Sequence, residues 1–156
     1  MFKETSKELL NFLSKSPTAF HAVENYRQIL NADGFKELLE SEHWDIVPGG
    51  KYYVTRNNTS ILAFKVGTKL DNYSFNIVTS HTDSPTFKVK ENAEIEVKNK
   101  YTQLNTEGYG GMLCATWLDR PLSIAGRVLV SEGNSIVTKL LNIDRDLLMI
   151  PNVAIH

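Results

Sequence analysis

The stretch KYYVTRNNTSILAFK, residues 51–65, is where the apolar pattern of the chain changes its period. Side chains alternate with a period of two from Tyr52 to Thr55 and again from Ile61 to Phe64, and this period is typical of β-strands. The polar triplet Asn57-Asn58-Thr59 separates the two runs and favours a turn. The stretch therefore predicts two neighbouring strands and marks the start of the β-structured part of the chain.

The residues before this stretch are predicted to be helical. Apolar side chains recur at intervals of three to four residues, first at Leu9, Leu10 and Leu13 and then at Phe20, Val23, Tyr26 and Leu30. This spacing indicates two amphipathic helices. In the break Ser16-Pro17-Thr18, proline ends the first helix and a hydroxyl caps the second, which Gly34 is expected to stop.

The residues after this stretch are predicted to form strands. One runs from Tyr73 to Thr79 and ends at the polar cluster Ser80–Pro85, where proline discourages a continuing ladder. Three more follow, at Ala93–Val97, Leu122–Val130 and Ser135–Leu141, the last two joined by a turn at Glu132-Gly133-Asn134. The predicted class is α/β, with helices on a mixed sheet in residues 1–92 and a β-rich domain starting in residues 93–156.

Composition narrows the possible functions. Seventeen Lys and Arg oppose 18 Asp and Glu, so a net charge of −1 predicts no broad basic field for nucleic acid or anionic lipid. No apolar run reaches the roughly 20 residues that span a bilayer, and charged residues interrupt the N-terminal stretch, so we expect neither a membrane segment nor a secretory signal. Cys114 is the single cysteine, which excludes an internal disulfide and fits a reducing cytoplasm.

The triplet His81-Thr82-Asp83 is the strongest candidate for chemistry. In an extended backbone residues i and i+2 lie on one face, which brings His81 and Asp83 together. A neutral imidazole can bind zinc, and a nearby carboxylate can hold the histidine in the required tautomer. The residues alone leave a second reading open, in which the triplet is only a hydrogen-bonded strand terminus.

The other candidate segments favour structural roles. Glu107-Gly108-Tyr109-Gly110-Gly111 predicts a tight turn, and the following Asp119-Arg120 pair predicts a surface or interdomain contact. Neither phosphate-binding glycine spacing is present. His21 and His43 lie beside aromatic residues and are interpreted as packing or hydrogen-bonding side chains. Nothing local distinguishes His156.

Five segments together resemble the aspartyl aminopeptidases, a family of two-zinc peptidases. Their order and spacing match over essentially the whole chain, and they are Ser16–Val23, Gly49–Asn57, Ser80–Lys90, Tyr109–Val130 and Ile150–His156. The combination is specific, whereas single members are not. A related two-zinc aminopeptidase family with another specificity is disfavoured by the Tyr-Gly-Gly and Trp-Leu-Asp-Arg segments.

The resemblance implies a zinc-dependent aminopeptidase, a hydrolase that removes acidic N-terminal residues from peptide substrates. It implies that His81 is a zinc ligand, that Asp83 orients it, and that His156 reaches a neighbouring subunit to help bind substrate or stabilise an oxyanion. It also implies a catalytic α/β domain interrupted by a β-rich dimerisation domain, and large closed homo-oligomers in the cytoplasm.

The sequence also departs from the family pattern. A two-zinc hydrolase needs several carboxylate and histidine ligands, a bridging acid and a glutamate base, and only His81 is matched here. Asp119 lies in a segment that resembles a non-ligand part of the family and is not assigned as the bridging acid. We therefore expect an incomplete, inactive fragment that does not hold zinc alone. The alternative function is a non-catalytic assembly or interaction module derived from such an enzyme.

Overall fold

The computed structural model describes residues 2–72 and 74–154, and these residues form two compact units. Unit 1 contains residues up to 83 together with 124–144, and unit 2 contains 84–123 together with the residues from 145 onward. In chain order the elements are α1 (Phe2–Ser14), α2 (Ala19–Ala32), β1 (Lys36–Glu37), β2 (Lys51–Arg56), β3 (Ser60–Lys65), β4 (Thr86–Val97), β5 (Tyr101–Tyr109), a 3-10 helix (Cys114–Trp117), β6 (Ala125–Glu132) and β7 (Ser135–Asn142). The division into domains at residue 92 stays a prediction.

Both N-terminal helices form where the sequence predicts them, and local signals explain their ends. Thr18 has an extended backbone, and its Oγ1 accepts a hydrogen bond from the backbone N–H of His21 at 3.4 Å, which caps α2. At the other end Gly34 has φ +79°, its N–H donates to the carbonyl of Asn31, and that of Phe35 donates to the carbonyl of Leu30. This pair of bonds is a Schellman motif, which favours glycine because the position is left-handed.

The sheet of unit 1 is mixed, as predicted. Strand β2 pairs in parallel with β1 and antiparallel with β3, with Tyr52 opposite Phe64 and Tyr53 opposite Ala63. Asn57 has a φ of 54° and Asn58 a φ of 55°, left-handed values that asparagine tolerates, and with Thr59 they form the three-residue connection between Arg56 and Ser60. The prediction of two strands around this turn is confirmed.

The core of the described residues lies between α2 and this sheet. Its buried apolar residues are Ala22, Val23, Tyr52 and Tyr53. The hydroxyl of Tyr53 donates to the side-chain oxygen of Asn31 at 3.0 Å, so the buried phenol keeps a hydrogen-bond partner. The aromatic pair of Tyr52 and Phe64, with ring centroids 5.6 Å apart, extends the packing to β3.

A second hairpin of unit 1 comes from much later in the chain. Strands β6 and β7 pair antiparallel around a turn in which Gly133 has φ +61°. This hairpin was predicted, although β6 begins at Ala125 rather than Leu122. The guanidinium of Arg127 on β6 lies 4.4 Å from the ring centroid of Phe20 on α2, a cation–π contact that joins the hairpin to the helix.

Unit 2 is built around the β4–β5 hairpin. The two strands pair antiparallel, with a register irregularity between Val89 and Glu94, and turn at Lys98 and Asn99. The sequence predicted only the end of β4 and missed β5. The predicted tight turn at Glu107–Gly111 is wrong for its first three residues, which belong to β5, whereas Gly110 does turn with φ +72°.

The predicted strand at Tyr73–Thr79 is wrong in the residues that the structure describes. Residues 74–79 form no strand and are exposed, and Tyr73 lies outside the described residues. A strand exists only when a neighbouring strand satisfies its backbone groups, and none of the described strands pairs with this segment. Residues 74–79 therefore have the sequence pattern of a strand, but no strand among the described residues pairs with them.

Candidate metal centre

The His81-Thr82-Asp83 triplet forms a defined side-chain pair. The Nδ1 atom of His81 lies 3.0 Å from Oδ1 of Asp83. Because a carboxylate only accepts hydrogen bonds, Nδ1 carries the proton and donates it, which leaves the lone pair of Nε2 for another partner. The imidazole is 91% exposed, so Nε2 is open to a ligand. This is the arrangement by which a carboxylate orients a metal-binding histidine.

Thr82 holds the middle of the triplet. Its hydroxyl donates to the backbone carbonyl of Thr59 at 2.6 Å, and the side chain is half-buried. Thr59 closes the turn between β2 and β3 with its own N–H bond to the carbonyl of Arg56 at 3.1 Å. The triplet is thus fixed to the end of the hairpin at Thr82, where the backbone bends, and the side chains of His81 and Asp83 meet across this bend.

The surroundings of the triplet are open. Residues Thr79, Ser80, His81, Thr82 and Asp83 line a shallow depression of about 430 Å³. A second depression of about 360 Å³ lies elsewhere on unit 1, beside Gly49, Gly50 and Lys51, where the ammonium of Lys51 is already paired with Asp33 at 2.8 Å. Only the first depression contains a possible metal ligand with an orienting partner.

The side chains present could supply one ligand of a zinc site but not a complete set. Zinc sites in proteins are built from three or four histidine, cysteine or carboxylate ligands. Within residues 2–72 and 74–154, no group of three or more such side chains is placed to hold a metal ion. His81 has the geometry of a single oriented ligand, and one ligand alone is too few for such a site.

The other histidines take different roles. His21 lies on α2 with Nδ1 2.8 Å from the hydroxyl of Thr18, and burial lowers the pKa of its imidazole. His43 is exposed and lies 3.7 Å from Asp45. The position of His21 agrees with its interpretation as a hydrogen-bonding residue, whereas the distance from His43 to Asp45 is too long for a hydrogen bond and the His43 side chain is 91% exposed. His156 lies outside the described residues.

Asp119 and Arg120 make structural contacts inside unit 2. Asp119 adopts φ +54°, its N–H donates to the carbonyl of Ile150 at 2.9 Å, and its Oδ1 accepts from the N–H of Asn152 at 2.8 Å. The guanidinium of Arg120 donates to the carbonyl of Thr116. The contacts pin two chain segments together, which supports the structural interpretation of this pair.

Residues 12–156 match the family described as aminopeptidase I zinc metalloprotease (M18). The matched class is therefore that of the zinc-dependent peptidases. More particularly, the chain belongs to the M18 family, and the resemblance to aspartyl aminopeptidases is confirmed.

Two curated relatives show how far the similarity extends. The chain is 49% identical to a probable M18 family aminopeptidase 2 of Clostridium novyi over 154 residues, covering 97% of this chain and 36% of that protein. It is 46% identical to the aspartyl aminopeptidase of Dictyostelium discoideum, covering 97% of this chain and 31% of that protein. The chain thus spans about a third of the length of the relatives it matches.

Solved structures give the same result. The structure described as the Ape4 and Nbr1 complex matches with a TM-score of 0.93 and 42% identity, over 99% of this chain and 30% of that one. The S. cerevisiae mApe1 dodecamer matches with a TM-score of 0.85 and 30% identity, over 97% of this chain and 36% of that one. The α/β fold described above is the fold of M18 aminopeptidases over this region.

The anchoring of the site was not foreseen from sequence. Thr59 and Thr82 lie 23 positions apart, and no local pattern connects a threonine hydroxyl with a distant turn carbonyl. The polar triplet that ends at Thr59 predicts a turn, but it does not predict that the carbonyl of Thr59 accepts a hydrogen bond from Thr82. Both the local pattern and the family resemblance point to His81 and Asp83, and neither assigns a role to Thr82.

Proposed function

We propose that this chain is the part of a zinc-dependent aminopeptidase that carries one zinc ligand, His81, and the carboxylate that orients it, Asp83. The observation that supports this most strongly is the 3.0 Å bond between Nδ1 of His81 and Asp83 in a chain of the M18 family. A bond through Nδ1 selects the tautomer that presents Nε2 to a metal.

The residues of this chain would bind and orient. Zinc, when bound, polarises the scissile carbonyl and lowers the pKa of a water molecule. Asp83 would hold the proton on Nδ1 of His81 and keep the imidazole plane fixed, while the Thr82 hydrogen bond keeps both on one side of the backbone. The ligands that complete the site, its bridging acid and its glutamate base would come from polypeptide outside these residues, so the chain by itself is expected to be inactive and to hold no zinc.

The wider assignment follows from the relatives. The substrate of the whole enzyme would be a peptide with an acidic N-terminal residue. This assignment is supported by relatives such as the Dictyostelium protein, which are named aspartyl aminopeptidases. The enzyme would also form a homo-oligomer, because a similar solved structure is a dodecamer. None of the described helices is long and apolar enough to cross a membrane.

Three finer assignments belong to this proposal. His156 would act in the active site of a neighbouring subunit on substrate or oxyanion. The domain boundary would fall near residue 92, between the catalytic and the dimerisation domain. The enzyme would work in the cytoplasm, which agrees with a single cysteine.

The test uses a chimera in which this chain replaces the matched 154 residues of the Clostridium novyi relative. We expect the chimera to release aspartate from a peptide with an N-terminal Asp and to lose that activity on replacement H81A. The matched control is H43A, because His43 and His81 are both 91% exposed and both lie beside an aspartate. Equal activity of the H81A and H43A chimeras would contradict the proposed role of His81.

A second candidate function is a non-catalytic assembly module. It is favoured by the lack of any three-donor cluster in the described residues. The same chimera separates the two functions. If this chain is only an assembly module, the chimera should assemble but release no N-terminal residue from any peptide substrate tested.

A further inference from the structure

The connection Asn57-Asn58-Thr59 between β2 and β3 is held by two residues that lie far away in the sequence. The carbonyl of Thr59 accepts a hydrogen bond from the hydroxyl of Thr82, 23 positions later, at 2.6 Å. The carbonyl of Asn57 accepts a hydrogen bond from Nη1 of Arg127, 70 positions later, at 3.4 Å. All of these residues belong to unit 1. One short connection therefore links β6 to the candidate metal centre.

The connection has little support of its own. Asn57 and Asn58 are exposed, and both adopt left-handed backbone angles, with φ of 54° and 55°. Asparagine tolerates this region better than most residues, but L-residues as a class visit it rarely. Thr59 closes the connection with its N–H bond to the carbonyl of Arg56 at 3.1 Å. An exposed segment in this conformation depends on bonds from outside to keep its carbonyls in place.

Arg127 is itself fixed by an aromatic ring. Its Cζ atom lies 4.4 Å from the ring centroid of Phe20, which belongs to the first turn of α2. A planar guanidinium can stack on a ring with its face and donate hydrogen bonds from its edge at the same time. A single side chain thus ties the β6–β7 hairpin, α2 and the 57–59 connection together.

We propose that Arg127 is a positioning residue for the candidate metal ligand His81, acting through the 57–59 connection. It keeps the final carbonyl of the connection where the hydroxyl of Thr82 reaches it. The bend at Thr82 then keeps its shape, and Nδ1 of His81 stays 3.0 Å from Asp83. The consequence for zinc rests on the proposed function, whereas the effect on the orientation of the imidazole does not.

Lys139 supplies a matched control. It is a cation on the same hairpin, and its ammonium pairs with Glu132 of the same hairpin. Lys139→Gln and Arg127→Gln therefore make the same change of charge on one hairpin, at positions that are both exposed. Only the second change removes a bond to the 57–59 connection.

The first measurement is the tautomer ratio of His81 in this chain alone, by nitrogen NMR at a pH where the ring is neutral. The wild type is expected to be mainly in the Nδ1–H form, because Asp83 accepts that proton. Arg127→Gln should shift the ratio toward the Nε2–H form by at least about twofold, the lower end of the effect of losing one hydrogen bond. Lys139→Gln should leave the ratio unchanged. A loss of stability alone does not change the ratio in the folded protein.

Two results of this measurement would overturn the proposal. One is an equal ratio in Arg127→Gln and Lys139→Gln. The other is a wild type that is mainly in the Nε2–H form, since the imidazole would then not be oriented by Asp83 at all.

Combination with Thr82→Val tests the route. If Arg127 acts through the hydroxyl of Thr82, its bond has nothing to transmit once that hydroxyl is removed. Thr82→Val alone and Thr82→Val combined with Arg127→Gln should therefore show the same tautomer ratio, because changes along one route are not additive. A further shift in the double variant would contradict the proposed route.

Zinc binding by the Clostridium novyi chimera separates this proposal from the proposed function. Arg127→Gln should weaken zinc binding by at least about threefold relative to Lys139→Gln, which is less than the 10–100-fold typical of a residue that bonds a ligand directly. Equal affinity of these two chimeras would overturn the positioning role. A chimera that binds no zinc would contradict the proposed function, and the tautomer ratio in the chain alone would still decide whether Arg127 orients His81.

Discussion

Replacing Thr82 with valine is the most direct test of how the candidate site is held. Valine keeps the shape of threonine and removes the hydroxyl that donates to the carbonyl of Thr59 at 2.6 Å. A hydrogen bond of this kind contributes about 0.5–1.5 kcal/mol to stability, and this one is half-buried and short. The expected cost of Thr82→Val is therefore about 1 kcal/mol.

The measurement is the melting temperature of the chain by scanning calorimetry. For a chain of this size a loss of 1 kcal/mol corresponds to a decrease of about 2–4 °C. Thr82→Ser is the matched control, because it keeps the hydroxyl and removes only a methyl group.

The reasoning is refuted if the valine variant melts with the wild type and the serine variant. In that case the hydroxyl would contribute no net stability. The orientation of His81 and Asp83 would then have to come from their own bond alone.

Three further predictions concern α2 and its ends. Thr18→Ala should destabilise the chain by about 1 kcal/mol in urea unfolding, since the N–H of His21 loses its capping acceptor, whereas Thr18→Ser should stay near wild type. Gly34→Ala should cost about 1 kcal/mol because φ is +79°, and Gly34→Asn should cost less because asparagine tolerates this region; equal effects would contradict the strain argument. Burial lowers the pKa of His21 in the folded state, so its contribution is fully present above about pH 6.5 and is lost as pH falls below that value toward the lower folded pKa. In unfolding curves at several pH values, the free energy of unfolding should fall less with decreasing pH in His21→Gln than in the wild type. The same fall in both proteins would exclude His21 as its source.

Local signals explain which parts of the fold could be predicted. Helix α2 and the β2–β3 hairpin each combine a clear period with end residues of matching chemistry, such as Thr18, Gly34 and the Asn57-Asn58 turn. Hydrophobic periodicity and capping residues depend only on residues close together in the chain, so they can be recognised in a single sequence.

The errors have a different physical origin. Strand β5 was missed because Leu104 is its single aliphatic residue and most of its side chains are exposed, so the alternation that marks a half-buried strand is absent. The turn at Lys98-Asn99 was the available signal, since asparagine tolerates positive φ. Residues 74–79 have the strand pattern but not the strand, because a neighbour at the sheet edge is a property of the whole molecule.

The candidate site was predictable only in part. The contact between His81 and Asp83 was predicted from positions i and i+2 of an extended backbone. The structure shows the contact at 3.0 Å, but with a bend at Thr82 in place of a strand. The anchor at Thr59 depends on tertiary structure and could not be predicted. The role of His81 as a zinc ligand stays a proposal.

The most direct test of the central claim is the zinc content of four purified proteins by elemental analysis. They are this chain, the Clostridium novyi chimera, and the chimera with H81A or with the control H43A. The account predicts no stoichiometric zinc in the chain alone, bound zinc in the chimera, the same amount with H43A and less with H81A. Stoichiometric zinc in the isolated chain, or an unchanged content in the H81A chimera, would contradict the claim that this chain contributes a single oriented ligand to a site completed elsewhere.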